Sequence, residues 1–277
     1  MLPLVLTALT PIAAHAQKII STGFFTGLTI PFTIDDGISN DPRYQTRYDI
    51  KWAPVGLHVG MDIDDFGFFV SPSFLKTSQN FWVINTVGGQ IGKRKINTQY
   101  INFPLSVKAK IIDLTFFRLS GVASVGAGFL IKGTETISHE PGKMNFPLSA
   151  LPHLPPDYTP DYDGVTVPQV DDLEIVGSSD FTSMQLFGSL GLRSDWDVAD
   201  HLRVSFDLRG YYGFLETRST TYLNQLQSDG ALYDVYGKRR EIFVYLTVGV
   251  SRTMEIDKKE SKFQKQKYKM KRRRLRG

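Results

Sequence analysis

The sequence of 277 residues contains no cysteine. This absence excludes a disulfide framework, a thiol nucleophile and a cysteine-based metal site. Long apolar runs are also scarce. The N-terminal run at residues 2–14 is too short to cross a bilayer as a helix, and no other segment approaches the ~20 apolar residues required. If the protein crosses a membrane, it must therefore do so with the strands of a closed barrel.

The apolar run at residues 2–14 is typical of an export signal. It ends in Ala14-His15-Ala16, which has the A-x-A form of a signal-peptidase site. No lysine or arginine precedes the run, although signal peptides usually begin with a positive charge. The alternative is a buried N-terminal helix, but Pro3 and Pro11 would disrupt such a helix. We therefore predict that residues 1–16 form a signal peptide.

The clearest periodic segment is LRVSFDLRGYYGFL at residues 202–215. Apolar residues alternate strictly with a face that carries Arg203, Asp207 and Arg209, and a period of two indicates a β-strand. The run exceeds the roughly 5–6 residues of a typical soluble strand and suits a membrane-crossing strand of roughly 9–11 residues. Its charged face cannot meet lipid, so we expect it to point into a barrel.

Eight segments alternate in this way, and the connections between them are alternately long and short. Short periplasmic turns and longer external loops are typical of an outer-membrane barrel. We therefore predict an all-β fold, an eight-stranded antiparallel up-and-down transmembrane β-barrel over residues 17–254, in the outer membrane with both termini periplasmic. A soluble lipocalin-like barrel is the alternative, but it requires an apolar interior. The predicted strands are 19–32, 55–63, 66–74, 100–111, 115–132, 181–196, 202–215 and 241–252, and the long connections are 33–50, 76–97, 133–180 and 217–240.

Charged residues on the inner faces should form a paired network. Eight strands leave an interior just wide enough for side chains, and an unpaired buried charge is costly. We therefore expect a plugged, structural core rather than a conducting pore. The predicted network consists of Asp62, Lys108, Lys110, Arg118, Arg193, Asp195, Asp207 and Arg209, with His58 and Arg203 also pointing inward.

The connection at residues 133–180 has an unusual composition. It holds seven of the 14 prolines, and nine acidic residues against the single basic residue Lys143. Its aspartates offer oxygen ligands for a divalent cation, but their spacing does not match an EF-hand, and we expect no metal. Two interpretations stay open, a partner-binding loop and a solvated, extended external loop. The candidate contact residues are Asp157, Asp161, Asp163, Asp171 and Asp172.

Catalytic signals are weak. The sequence contains neither the G-x-S-x-G nor the H-E-x-x-H motif. His139 and His153, both within residues 133–180, are the candidates for an enzyme active near the external rim. We expect no catalytic residue and no cofactor, and an outer-membrane enzyme is the third of our function hypotheses, after a structural or assembly protein and a surface-binding barrel.

The C-terminal segment is strongly basic. Residues 258–277 carry eleven lysines and arginines against one acid, whereas the whole chain has a net charge of only +4. We predict a periplasmic tail at residues 255–277 that docks on anionic lipid head groups or on an acidic partner. A disordered, solubilising tail is the alternative, and nucleic-acid binding conflicts with an export signal. The candidate docking residues are Lys269, Lys271, Arg272, Arg273, Arg274 and Arg276.

Two neighbouring segments carry a family resemblance. In YINFPLSVKAKI, Tyr100 comes shortly before Pro104-Leu105, and the next segment is rich in glycine, including Gly126 and Gly128 as well as Gly121. This pattern resembles the Bacteroidota outer-membrane β-barrel domain family, the PorT-like proteins, over most of residues 18–254. The resemblance implies an outer-membrane barrel with an envelope or secretion-system partner, since some members serve type IX secretion and gliding. The basic tail departs from the simplest members.

Overall fold

The computed structural model describes residues 18–114 and 116–256, in which strands dominate and helices are short. The two α-helices are α1 (Asp36–Ser39) and α2 (Thr220–Ser228). In chain order the strands are β1 (Lys18–Pro31), β2 (Ile34–Asp35), β3 (Tyr44–Arg47), β4 (Lys51–Ile63), β5 (Phe66–Val70), β6 (Ser73–Lys76), β7 (Gln79–Ile84), β8 (Gln90–Asp113), β9 (Phe117–His139), β10 (Gly142–Met144), β11 (Thr159–Asp161), β12 (Gly164–Val167), β13 (Val170–Val176), β14 (Met184–Ala199), β15 (Leu202–Gly213), β16 (Arg239–Arg240) and β17 (Ile242–Glu255).

Antiparallel pairing closes the main strands into a ring. The order is β1, β4, β5, β8, β9, β14, β15 and β17, and β17 pairs again with β1. Strand β6 extends the position of β5, because it also pairs with both β4 and β8. The ring leaves no open edge. The prediction of an eight-stranded antiparallel barrel is confirmed.

One end of the ring carries the tight connections, and we call it the turn end. Asp64-Asp65 joins β4 to β5, and Asp64 adopts a φ of 50°, which a two-residue hairpin turn requires and aspartate tolerates. The described chain also starts and stops here. The Ile256 N–H donates a hydrogen bond to the Lys18 carbonyl oxygen at 2.9 Å.

The two faces of the ring differ in polarity. The outer face exposes aliphatic and aromatic side chains, with Leu190 at 72 % and Val125 at 64 % exposure. The inner face buries polar and charged groups such as Asn102, Ser106 and Lys108. This is the apolar-out, polar-in arrangement of a transmembrane barrel. Within the described residues, no helix is long and apolar enough to cross a bilayer.

At the opposite end, β8 and β9 continue beyond the ring, and their polarity reverses. The outward side chains of β8 change from Phe103 near the ring to Lys95 beyond it, and the inward ones change from Ser106 to Ile96. Strands β7, β3 and β13 join this extension. We call the resulting body, residues 32–50, 77–99, 131–183 and 214–241, the cap.

The cap has its own hydrophobic core. Side chains from several connections meet in it, including Ile38, Tyr44, Phe81, Ile137, Met144 and Tyr233. Of the two interpretations left open for residues 133–180, the extended, solvated loop is wrong, because half of this segment pairs in sheets and buries apolar groups. The connection at 76–97 is likewise mostly strand.

Several predicted strand boundaries also change. Strands β8 and β9 begin or end in the cap rather than at residues 100 and 132. The third predicted strand is interrupted at Ser71-Pro72, since proline has no N–H to continue the ladder. Strand β17 runs to Glu255, one residue into the predicted tail. The predicted signal peptide, Thr115 and the tail from residue 257 lie outside the described residues.

Candidate functional site

The lower half of the lumen holds a compact layer of ion pairs, contributed by β4, β8, β14 and β15. The Lys108 ammonium lies 2.8 Å from Asp195 and 3.0 Å from Asp62. Arg203 donates to the other oxygen of Asp62 at 2.8 Å. Period-two geometry brings these groups together, because every second residue of each strand points inward. We call this set, together with Arg193, Asp207 and Arg209, the lumen layer.

Two further arginines complete the lumen layer. The Arg193 Nε donates to Asp195 at 2.8 Å, and the same side chain donates to the Ser205 hydroxyl at 2.8 Å. Arg209 forms a bidentate pair with Asp207. Each of these charges has an opposite charge beside it, as low-dielectric surroundings demand.

Lys110 and Arg118, also predicted for this network, lie lower, at the turn end. Lys110 pairs with Asp113 at 2.7 Å, and Arg118 pairs with Asp197. Asp197 also accepts from Arg203 at 2.9 Å, which connects this rim to the lumen layer. The eight predicted residues thus form two connected groups, one buried and one at the mouth.

An aromatic layer closes the lumen above the ion pairs. The rings of Tyr211 and Phe243 stack with centroids 4.9 Å apart, and Phe187 packs edge-on against Phe243 at 5.4 Å. Tyr100 and Tyr245 complete the layer. The cavity between the two layers measures only about 30 Å³, room for a few waters. The two layers therefore leave little free space in this part of the lumen.

A second ion-pair layer, which the sequence analysis missed, lies inside the cap. Arg94 binds Glu135 and, at 2.7 Å, Asp234. Arg239 reaches Glu135 at 2.7 Å and also binds Asp35. All five side chains are buried, and they come from four separate connections, so we call them the cap network.

The electrostatics of the cap network favour the charged forms. Burial alone raises the pKa of Asp35, but the guanidiniums of Arg239 and Arg218 outweigh it and hold that pKa below its usual range. Asp234 behaves in the same way. Burial opposes its ionisation, while Arg94 and Arg239 lower its pKa well below the ordinary value. Most members have more than one partner, since Arg218 also binds Asp234 at 3.1 Å, and removing one group disturbs the charge balance of the whole buried network.

The predicted contact aspartates lie on the outside of the cap. Lys143 bridges Asp161 at 2.9 Å and Asp163 at 2.6 Å, and its hydrogen bond holds the pKa of Asp161 below the usual value. Asp172 accepts from the Ser138 hydroxyl at 3.0 Å. Asp157 and Asp171 are also exposed. These aspartates do not converge on one point, and among the described residues no cluster of three or more His, Cys, Asp or Glu side chains could hold a metal ion.

The two histidines proposed for an enzyme have different surroundings. His139 is buried, and its Nε2 lies 2.8 Å from the Tyr233 hydroxyl, which in turn contacts the Tyr158 hydroxyl. Burial lowers the pKa of His139, partly offset by its contact with the Glu140 carbonyl. His153 is half-buried beside Gly230. The tyrosine cluster explains the position of His139 as a packed core residue.

The outer surface of the cap carries a groove with mixed polarity. It measures about 590 Å³ and lies across β3, β7, β8 and β9. The Arg47 guanidinium lies over the Trp82 ring at 4.3 Å, a cation–π geometry. Lys93 and Glu140 also line the groove, as does Asp171, the one predicted contact aspartate that reaches it.

Comparison of the sequence with protein-family profiles and with curated proteins gives no match. Similar solved structures include the outer membrane protease OmpT of Escherichia coli, with 10 % identity, 86 % of this chain and 96 % of that chain covered, and a TM-score of 0.37. The outer membrane protein OprG of Pseudomonas aeruginosa is 14 % identical, with 86 % and 96 % coverage and a TM-score of 0.33. The attachment invasion locus protein Ail of Yersinia pestis is 11 % identical, with 87 % and 99 % coverage and a TM-score of 0.31. The fold assignment itself rests on the closed ring of strand pairings.

Proposed function

We propose that this protein is a non-conducting outer-membrane barrel with a non-enzymatic structural or assembly role, in which the barrel anchors the cap as a rigid contact surface. The closure of the lumen carries the proposal. The lumen layer, the aromatic layer and the cap network are stacked along the barrel axis, and the cavity between the first two holds only about 30 Å³. A barrel filled in this way suits anchoring better than transport.

The difference between the two ends of the barrel supports one orientation in the membrane. Short turns are periplasmic and longer connections external in bacterial barrels. We therefore propose that the turn end, with Lys18 and Ile256, faces the periplasm and that the cap faces outward. An assembly role is also supported by the PorT-like resemblance around Tyr100 and Pro104. The partner would be an envelope or secretion-system protein, with outer-membrane lipid around the belt.

Two measurements test this proposal together. Unboiled and boiled samples should migrate differently in SDS gels, as expected for a stable barrel. The protein inserted into planar lipid bilayers should show no stepwise conductance. Recovery from the soluble periplasmic fraction would contradict the membrane assignment, and regular conductance steps would contradict the sealed lumen.

A second candidate function, ligand capture by the cap, is favoured by the groove around Trp82. An aromatic ring flanked by Arg47, Lys93 and Asp171 offers both stacking and hydrogen bonds to a polar ligand. The variants Trp82→Ala and Lys93→Ala separate the two functions. Loss of ligand capture with intact envelope assembly favours the binder, whereas loss of co-purified envelope proteins favours the assembly role.

A further inference from the structure

The apolar outer face of the barrel contains a dent across β8, β9, β14 and β15. It measures about 630 Å³, within the size range of ligand pockets. Its floor is formed by small residues, Ala123, Gly188 and Gly210. Its walls are formed by larger apolar and aromatic side chains, Leu105, Val107, Val125, Leu190, Tyr212 and Phe214.

The strand register explains why the surface is recessed there. Leu190 lies opposite both Ala123 and Gly210 on its two neighbouring strands, and Gly188 lies opposite Tyr212. A Cβ atom added at Gly210 would meet no other atom within 4 Å, so the space above this residue is open. The Phe214 ring covers Gly188 and closes the dent toward the cap.

A positive charge lies directly above the dent. Arg240 lies two residues before Ile242 in the chain and points to the same outer face. Its Nη1 donates a hydrogen bond to the Tyr212 hydroxyl. Its guanidinium lies 5.7 Å from the centroid of the Tyr212 ring. Among the described residues, no carboxylate pairs with Arg240. A guanidinium that lies at the upper edge of an apolar belt and lacks an acidic partner can bind a phosphate bidentately.

We propose that the dent and Arg240 together form a binding site for one phosphate-bearing membrane lipid. An acyl chain lies in the dent beside Leu190, and the lipid phosphate accepts hydrogen bonds from Arg240. The dent and the charge are complementary to such a lipid, because the outward side chains of the dent are apolar apart from the Tyr212 hydroxyl, and Arg240 lies at the edge of the apolar belt, where head groups begin. This inference rests on the proposed membrane location of the barrel.

Gly210→Leu tests the dent, because the new side chain enters open space and fills the floor. Leu190→Trp fills the same dent from its wall and serves if Gly210→Leu fails to fold. Gly121→Leu is the matched control. Gly121 lies on the same outer face outside the dent, and its added Cβ would meet only Ile111 Cδ1, at 3.7 Å. Arg240→Gln tests the phosphate contact.

Binding is measured by native mass spectrometry of the full chain in detergent, with dipalmitoyl-phosphatidylglycerol and with dipalmitoylglycerol, which lacks phosphate. We expect the phospholipid to remain bound to the unmodified protein, and its affinity to fall about tenfold in Gly210→Leu and in Arg240→Gln. Gly121→Leu should bind as the unmodified protein does. Excess inorganic phosphate should not displace the lipid, because it gains nothing from the dent.

Three results would overturn the site. Equal binding by Gly210→Leu, Leu190→Trp and Gly121→Leu would mean that the dent holds no preferred chain. Unchanged binding by Arg240→Gln, or equal retention of dipalmitoylglycerol, would remove the phosphate contact. Displacement by inorganic phosphate would identify a free-anion site instead. Failure of the unmodified protein to show a heat-dependent gel shift would instead contradict the proposed function, which keeps the two failures distinct.

Discussion

Arg239 donates to the Glu135 carboxylate at 2.7 Å, and both side chains are completely buried inside the cap. The contact joins strand β9 to the segment that leads into β17, the last barrel strand. Glu135 also binds Arg94, so one carboxylate connects three chain segments. The cap is therefore fixed to the barrel by charge pairing as well as by its apolar core, as a rigid contact surface requires.

Removing this carboxylate should loosen the cap and leave the ring intact. In Glu135→Gln, Arg94 and Arg239 lose their shared counter-charge, and breaking a buried pair costs about 3–5 kcal/mol. Hydrogen exchange of the cap amides should rise strongly, while the heat-dependent gel shift persists. Glu140→Gln, at an exposed carboxylate nearby, is the control and should change neither property. Unaltered exchange in Glu135→Gln would mean that the cap network does not hold the cap together.

Neighbouring residues of β15 point to opposite sides of the barrel wall, and this gives a second prediction. Leu208 is half-exposed on the outer face, so Leu208→Arg should lower the free energy of unfolding in lipid by about 2–4 kcal/mol near the bilayer midplane. Arg209→Leu should destabilise for another reason, because it leaves the buried Asp207 carboxylate with only the more distant Arg193 guanidinium, 3.7 Å away. Urea refolding in lipid vesicles measures both.

A double variant distinguishes these two causes. Adding Asp207→Asn to Arg209→Leu should recover part of the lost stability, whereas adding it to Leu208→Arg should not. A neutral Leu208→Arg variant would show that β15 does not face lipid at this residue.

His139 should make cap stability depend on pH. Burial lowers its pKa in the folded protein, whereas the unfolded chain has the ordinary value of about 6.5. The unfolded state therefore binds the proton more readily. The His139 contribution is fully present above about pH 6.5 and is lost as the pH falls from there toward the lowered folded pKa.

Hydrogen exchange of the cap amides between pH 7 and 5, corrected for intrinsic exchange rates, measures this effect. His139→Phe should flatten the dependence, since it keeps a ring in the core but removes the titrating group. Tyr233→Phe should retain it, because burial rather than the Tyr233 hydroxyl is the main cause of the shift. An equal pH dependence in His139→Phe would assign the effect to another group.

The ring was predictable from sequence because one rule, apolar out and polar in, holds along each membrane-crossing strand. The same rule did not predict the cap, because the strands change polarity where they enter it. Beyond Tyr100 the outward side chains of β8 become polar, at Gln99, Asn97 and Lys95, while the inward ones include the apolar Ile96. The period of two continues unbroken, and following it regardless of polarity would have found the extension.

The cap network was harder to find. Glu135 and Arg239 are 104 residues apart, and local patterning does not place them in contact. The lumen layer differs, because inward residues such as Arg193 and Asp195 share one strand and their pairing follows from the period alone.

The final prediction concerns the basic segment after Asp257. The last described residue, Ile256, lies at the turn end beside Lys18, opposite the cap. With the turn end in the periplasm, as we propose, we predict that the basic segment is periplasmic. Protease added to intact cells should therefore spare residues 258–277 and cut only at the cap. Truncation after Asp257 should preserve the heat-dependent gel shift and weaken a salt-sensitive association with anionic lipid, since the charges act over roughly 10 Å at 0.1 M salt. Cleavage of the tail from outside would contradict the orientation, and association that is insensitive to salt and to truncation would leave the tail without a docking role.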